Sequence, residues 1–177
     1  MQTNGSEVPL EVNYKDSFLL DSSFFIEASR RYYAFDIAPS FWQKLKNCAQ
    51  KGCIFTIDRV MNELKKGNDM LKDWAMKEFS GFVADTKDSK VISAYSDIIE
   101  WVYSKGNAYR DQAKNKFAFG ADGWIIAHAL INGCYVVTQE VFKPDSKKHV
   151  SIPNVCEEFD VQYLNTFTLL RKLLVKL

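Results

Sequence analysis

Short apolar runs alternate with longer amphipathic stretches along the chain. Four runs, SFLL (17–20), CIFTI (53–57), CYVVT (134–138) and VQYLN (161–165), are almost continuously apolar rather than alternating. That is the pattern of strands covered on both faces, as in a parallel sheet. The stretches between them carry apolar residues at helical spacing. FFIEASRRYY (24–33) is expected to be a helix capped by Ser22 or Ser23. Pro39 opens a second helix over 40–50, with Phe41, Leu45 and Cys48 on one stripe and Gly52 beyond its end. Further helices are expected over 58–67, 69–79, 91–106, 109–120, 121–133 and 166–177. Gly67, Gly106 and Gly133 stop three of them. Residues 80–90 read as a charged linker, 144–153 as a polar loop and 155–159 as a turn or short helix. Strand and helix alternate throughout, which predicts an α/β domain over 16–177 with a mostly parallel central sheet of four to five strands flanked by helices. Residues 1–15 are polar and irregular and are expected to form a mobile extension.

Composition narrows this picture. The chain has 177 residues, 47% hydrophobic and 14% aromatic, enough for one domain with a sizeable core. The dense apolar run from Phe24 to Trp42 is expected to serve either that core or an interface, so a homodimer is carried as an expectation. Charge is balanced, 23 Lys+Arg against 22 Asp+Glu, and gives no evidence for or against nucleic acid. Cys48, Cys53, Cys134 and Cys156 form no C-x-x-C pair, so zinc-site spacing is absent and free thiols in a reducing compartment are expected. No signal peptide or run of membrane-spanning length is visible, and a cytoplasmic location follows as the expectation. The chain lacks the P-loop, the G-x-G-x-x-G fingerprint and the G-x-S-x-G elbow.

The candidate chemistry lies in carboxylates at element ends. Asp21 follows the first strand and Glu140 the third; Glu63 lies in the helix after the second strand, and Asp122 in the first turn of its helix. Ligands of open parallel sheets bind outside the carboxyl ends of the strands. Four carboxylates meeting there suit Mg²⁺ or Mn²⁺, hard ions that take oxygen ligands and phosphate. Each acid also has an ordinary reading: Asp21 as a helix cap, Asp122 as a complement to the helix dipole, Glu63 on a solvated face, Glu140 in a loop. Asp58, five residues before Glu63, reads first as a helix-start cap. His128 reads as a packed or surface histidine, and His149 has no evident partner.

The order of these blocks resembles the PIN-domain nucleases. LLDSSFFIEA looks like the family's opening strand, aspartate, polar pair and apolar helix. VMNELKKG resembles its Glu-Leu block through Glu63, Leu64 and Gly67, and ADGWIIAHALINGCYVVTQE its third block through Asp122, Ala127, Ala129 and Thr138. RRYYAFDIAPSFWQKL and IPNVCEEF resemble a bacterial PIN-like subgroup of toxin–antitoxin toxins. The resemblance implies a three-layer PIN-like sandwich and a metal-dependent ribonuclease held inactive by a protein antitoxin. It makes Asp21, Glu63, Asp122 and Glu140 the catalytic, metal-binding acids, with Ser23 and Thr138 supporting them. Glu140 stands where the family more often has Asp, and Ser23 where it often has Asn. The departure at Glu140 motivates an alternative, a PIN-like module that binds RNA or a protein without turnover. Arg30, Arg31, Lys65 and Lys143 are the candidate RNA contacts; ordinary surface charge is their plain reading.

Overall fold

The computed structural model describes residues 14–104 and 109–175. Residues 1–13 of the expected extension, the Gly106 helix stop and the last two residues of the final helix lie outside them. Among the described residues the sheet has five strands in the order β3-β2-β1-β4-β5 and every pairing is parallel. The strands are β1 (Phe18–Leu20), β2 (Ile54–Ile57), β3 (Val83–Ala84), β4 (Tyr135–Val137) and β5 (Tyr163–Leu164). Helices flank the sheet, so the expected α/β architecture is the one the chain adopts. Leu19, Leu20, Ile57, Val136 and Val137 have no solvent exposure, which is why these runs are continuously apolar.

The strand order locates the functional edge. From β1 the chain moves one way to β2 and β3, then returns to place β4 on the other side of β1 and β5 beyond it. The connections that leave the neighbours β1 and β4 therefore run in opposite directions, the arrangement that makes the crevice of a topological switch point. Register aligns Leu20 with Val137, and the Asp21 N–H donates to Val137 O at 3.0 Å. Asp21 and Thr138 thus leave the sheet side by side.

The helices are α1 (Ser22–Glu27), α2 (Pro39–Gln50), α3 (Asp58–Leu64), α4 (Met70–Trp74), α5 (Ser89–Ser104), α6 (Asp111–Phe119), α7 (Asp122–Asn132), α8 (Ile152–Glu158) and α9 (Thr166–Lys172). Two π-helical turns, Ala28–Tyr32 and Ala75–Phe79, extend α1 and α4. No helix among the described residues is long and apolar enough to cross a membrane. Gly133 ends α7 in the left-handed conformation at φ 67°, where a side chain would be strained. A Cβ on Gly123 would lie 3.0 Å from the Tyr95 ring and 3.2 Å from Phe117, so only glycine lets α7 approach α5 and α6 this closely.

Several details differ from the sequence reading. The linker over 80–90 contains β3, a two-residue strand too short to show a pattern, and α5 begins at Ser89. The buried stripe of α2 is Phe41, Trp42, Leu45 and Ala49; Cys48 is only half-buried. Trp42 turns inward because its indole N–H donates to Tyr33 O at 2.7 Å and its ring stacks on Phe35 at 4.1 Å. Much of the apolar run from Phe24 to Trp42 is thereby used in the core, including Phe24, Phe25, Phe41 and Trp42. Residues 152–153, read as loop, start α8, because Ser151 caps it by accepting from the Asn154 N–H. The last helix stops at Lys172, two residues before Leu174 at φ 52°. Tyr14, placed in the mobile extension, stacks on Phe55 at 4.4 Å and belongs to the folded domain. The four cysteines are free, with Cys134 and Cys156 buried.

Candidate metal centre

Asp21 is the N-cap of α1, a role the sequence reading passed to Ser22 or Ser23. Its Oδ1 accepts from the Ser22 N–H at 2.7 Å, and its Oδ2 from the Ser23 N–H at 3.2 Å and the Ser23 hydroxyl at 2.6 Å. Thr138 Oγ1 lies 3.1 Å from the same Oδ2 and 3.2 Å from Ser23 Oγ. Ser23 and Thr138 thus hold the orientation of Asp21. The carboxyl is 2% exposed, and its pKa rises to about 6. Burial is the main cause, the charge of Glu140 adds to it, and the serine donors oppose it.

Asp122 opens α7 across the crevice. Its pKa stands well above the ordinary carboxylate value because of burial first, then the charges of Asp21, Glu140 and Glu63; Lys116 opposes them. All four predicted acids therefore fall within electrostatic reach at one edge of the sheet. No ion pair among the described residues involves Asp21, Glu63 or Asp122.

The other two acids are tethered. Glu63 Oε1 accepts the Ala121 N–H at 3.0 Å, joining α3 to the residue before Asp122. Glu140 Oε2 accepts the Ile152 N–H at 2.7 Å, and its Oε1 lies 2.8 Å from His149 Nε2. His149 does have a partner, then, one the sequence reading missed: the loop after β4 folds back so that its ring meets the acid nine residues earlier. The hairpin-like return of a polar loop onto the start of α8 leaves no local signal. Asp58 opens α3 and accepts from the Thr86 hydroxyl at 2.8 Å, tying α3 to the segment after β3. His128 is packed at the far end of α7, as its plain reading has it.

The donors are all carboxylate oxygens, the ligands that hard cations take. Among the described residues no three of His, Cys, Asp or Glu are close enough together to form a ready cage. Mg²⁺ needs none: it is commonly bound by one or two carboxylates and retains water. A cluster of one buried and three half-buried acids fits such an ion, because a cation would offset both the burial of charge and the repulsion that raise Asp21 and Asp122.

The predicted RNA contacts are not gathered here by ion pairing. Arg30 pairs with Asp69 at 3.5 Å and Arg31 with Glu27 at 3.1 Å. Lys65 and Lys143 are exposed, and the backbone of Lys143 is fixed by Asn154, whose Oδ1 accepts the Lys143 N–H at 2.8 Å and whose Nδ2 donates to Lys143 O at 2.7 Å. Lys116 is the cation within electrostatic reach of Asp122, and Arg59 and Lys66 line a cleft of about 430 Å³ with Glu63, Phe119, Ala121 and Trp124. Sequence reasoning passed over Arg59, Phe119 and Trp124, which come from three separate helices.

No curated protein matches the chain. A family model described as a domain of unknown function, DUF4411, matches residues 18–177. That match takes in all five strands and all four acids, and the chain belongs to the DUF4411 family.

Proposed function

We propose that the protein is a metal-dependent endoribonuclease that hydrolyses RNA phosphodiester bonds, a PIN-like toxin acting in the cytoplasm and restrained by a protein antitoxin. The observation that carries the nuclease reading is the group of like charges at the β1–β4 switch point, where Asp122 is raised by Asp21, Glu140 and Glu63 together. The ordered resemblance of the three motif blocks supports the PIN-like and toxin parts. Asp21, Glu63, Asp122 and Glu140 would hold Mg²⁺ or Mn²⁺. When bound, the ion supplies charge neutralisation, Lewis-acid polarisation of the phosphodiester and a lowered pKa for water.

The chain's own part is positioning. Ser23 and Thr138 fix Asp21 through its Oδ2, leaving no freedom for the carboxylate to rotate out of the crevice. Glu63 clamps α3 against the start of α7, so the spacing between Glu63 and Asp122 is set by the fold. Glu140 is steadied by His149 and by the first N–H of α8. Arg59 and Lys66 lie to the Glu63 side, where a phosphate flanking the reacting one can be held. Cleavage of a labelled single-stranded RNA in Mn²⁺, followed on gels, tests the reading. Metal-dependent cleavage by the wild type, lost in Asp21→Asn and Asp122→Asn, is the expected result. Equal cleavage by both variants would sink the assignment.

One observation favours the second reading, a binding module without turnover. Both oxygens of Glu140 and both of Asp21 already have partners within the protein. In that case Mn²⁺ leaves the thermal midpoint unmoved and RNA binding needs no metal.

A further inference from the structure

The cleft beside Glu63 has a composition that the metal centre does not use. Phe119 is 91% exposed, although Phe117, two residues earlier, is buried in the core. Its display is built in. The Tyr95 hydroxyl donates to Ala118 O at 2.7 Å, which fixes the backbone on the cleft side of Phe119. Tyr95 in turn lies flat on Trp124, with ring centroids 3.8 Å apart and planes 8° apart, and Arg59 lies over the Trp124 ring at 4.6 Å. Asn62 on α3 and Lys66 just beyond its end, both exposed, complete the rim. A solvent-exposed aromatic ring on a fixed stretch of backbone gains nothing for the fold. Beside a guanidinium and an ammonium, it has the combination that holds unpaired nucleotides: a stacking face with cations for the backbone. The volume of about 430 Å³ is within the ordinary range for ligand clefts.

We propose that this cleft seats an unpaired base of the RNA next to the scissile phosphate, stacked on Phe119, with Lys66 and Arg59 on the adjoining phosphate. The inference rests on the nuclease reading for the position of the scissile bond. Glu63 links the two sites, since it lines the cleft and accepts the Ala121 N–H one residue before Asp122. The cleft therefore selects single-stranded substrate, because a duplex keeps its bases stacked and presents no free face to Phe119.

The test measures binding and turnover separately in the full chain. Fluorescence anisotropy of a short labelled single-stranded RNA is read in EDTA, and cleavage of the same RNA in Mn²⁺. Phe119→Ala is expected to weaken binding on the order of tenfold, the usual scale for one base–aromatic stack, with the loss of turnover appearing in KM rather than kcat. Phe119→Trp restores affinity. Phe119 is exposed, so neither change disturbs folding, and circular dichroism melts check this. If Phe119→Ala binds single-stranded RNA within twofold of wild type while Asp122→Asn abolishes cleavage, the cleft proposal is overturned and the nuclease reading stands. The same unchanged affinity is the outcome if Phe119 serves a protein partner instead. If the wild type neither binds nor cleaves single-stranded RNA, both fall.

Discussion

The two ends of α7 hold ionisable side chains in different company, although burial disfavours the charged form at both. Near the amino ends of the strands, His128 is 3% exposed and sits edge-on to Tyr14 and Phe55 at 5.4 and 5.6 Å. Burial lowers its pKa from 6.5 to about 4 against the opposing pull of Asp58 and Asp88, so it is neutral and packs as an aromatic. At the other end, half-buried Asp122 faces three more carboxylates, and burial first, then their repulsion, raises its pKa and so favours its neutral form as well. His128 is settled among aromatic rings, whereas Asp122 belongs to a group of like-charged acids, which folding alone would not favour.

The largest expected effect falls on turnover. Asp21→Asn and Asp122→Asn should each lower Mn²⁺-dependent RNA cleavage by two orders of magnitude or more, on the scale of losing one preorganised electrostatic group. The same Asp122→Asn change should raise stability in metal-free buffer, because it replaces an acid held by burial and like charges with a neutral group of the same shape. A gain of about 1 kcal/mol would appear as roughly 2–4 °C in the thermal midpoint for a chain of this length. A variant at His128 that shows the same pairing of lost activity and gained stability would erase the contrast between the two ends.

The pH dependence of stability separates the ends by sign. Asp21 rises from 3.8 to about 6, so between these values the folded carboxyl keeps a proton that the unfolded chain has released. Its contribution is full below pH 3.8 and is lost as pH rises towards 6. His128 falls from 6.5 to about 4, so its contribution is full above pH 6.5 and is lost as pH falls towards 4. At about 1.4 kcal/mol per unit, each is worth on the order of 3 kcal/mol. Metal-free thermal melts from pH 4 to 6.5 should show Asp21→Asn shifting the slope upwards and His128→Phe shifting it downwards. Slopes that move in the same direction for both variants would contradict the contrast.

Smaller effects concern the frame around the acids. Gly123→Ala puts a Cβ 3.0 Å from the Tyr95 ring and should cost about 1–3 kcal/mol by overpacking, seen in denaturant melts, with turnover falling as Asp122 shifts. Thr138→Val keeps the shape but removes a hydroxyl that meets Asp21 and accepts the Glu140 N–H at 3.1 Å. It should cost about 1 kcal/mol in the same melts, the scale of one buried hydrogen bond.

How far the sequence could be read follows from the same physics. β1, β2, β4 and β5 were legible because strands buried on both faces must be apolar throughout. β3 was not, because two residues carry no period. Asp21, Asp122 and Glu140 could be placed at one edge because they follow strands or start a helix of a parallel sheet, whereas Glu63, in the last turn of α3, reaches that edge only through the packing of α3 on α7. The cap at Asp21 was misassigned to its serines because a D-S-S run offers three capping side chains and local sequence does not rank them. The Glu140–His149 contact and the Arg59–Trp124–Tyr95 stack depend on how separate segments pack, and no spacing along the chain records that.

Calorimetric titration of Mn²⁺ into the metal-free protein at pH 7 tests the central claim most directly. Saturable binding by the wild type, and loss of that binding in Asp122→Asn, is the expected result. Binding that is absent in the wild type, or unchanged in Asp122→Asn, would contradict a metal centre at the β1–β4 crevice.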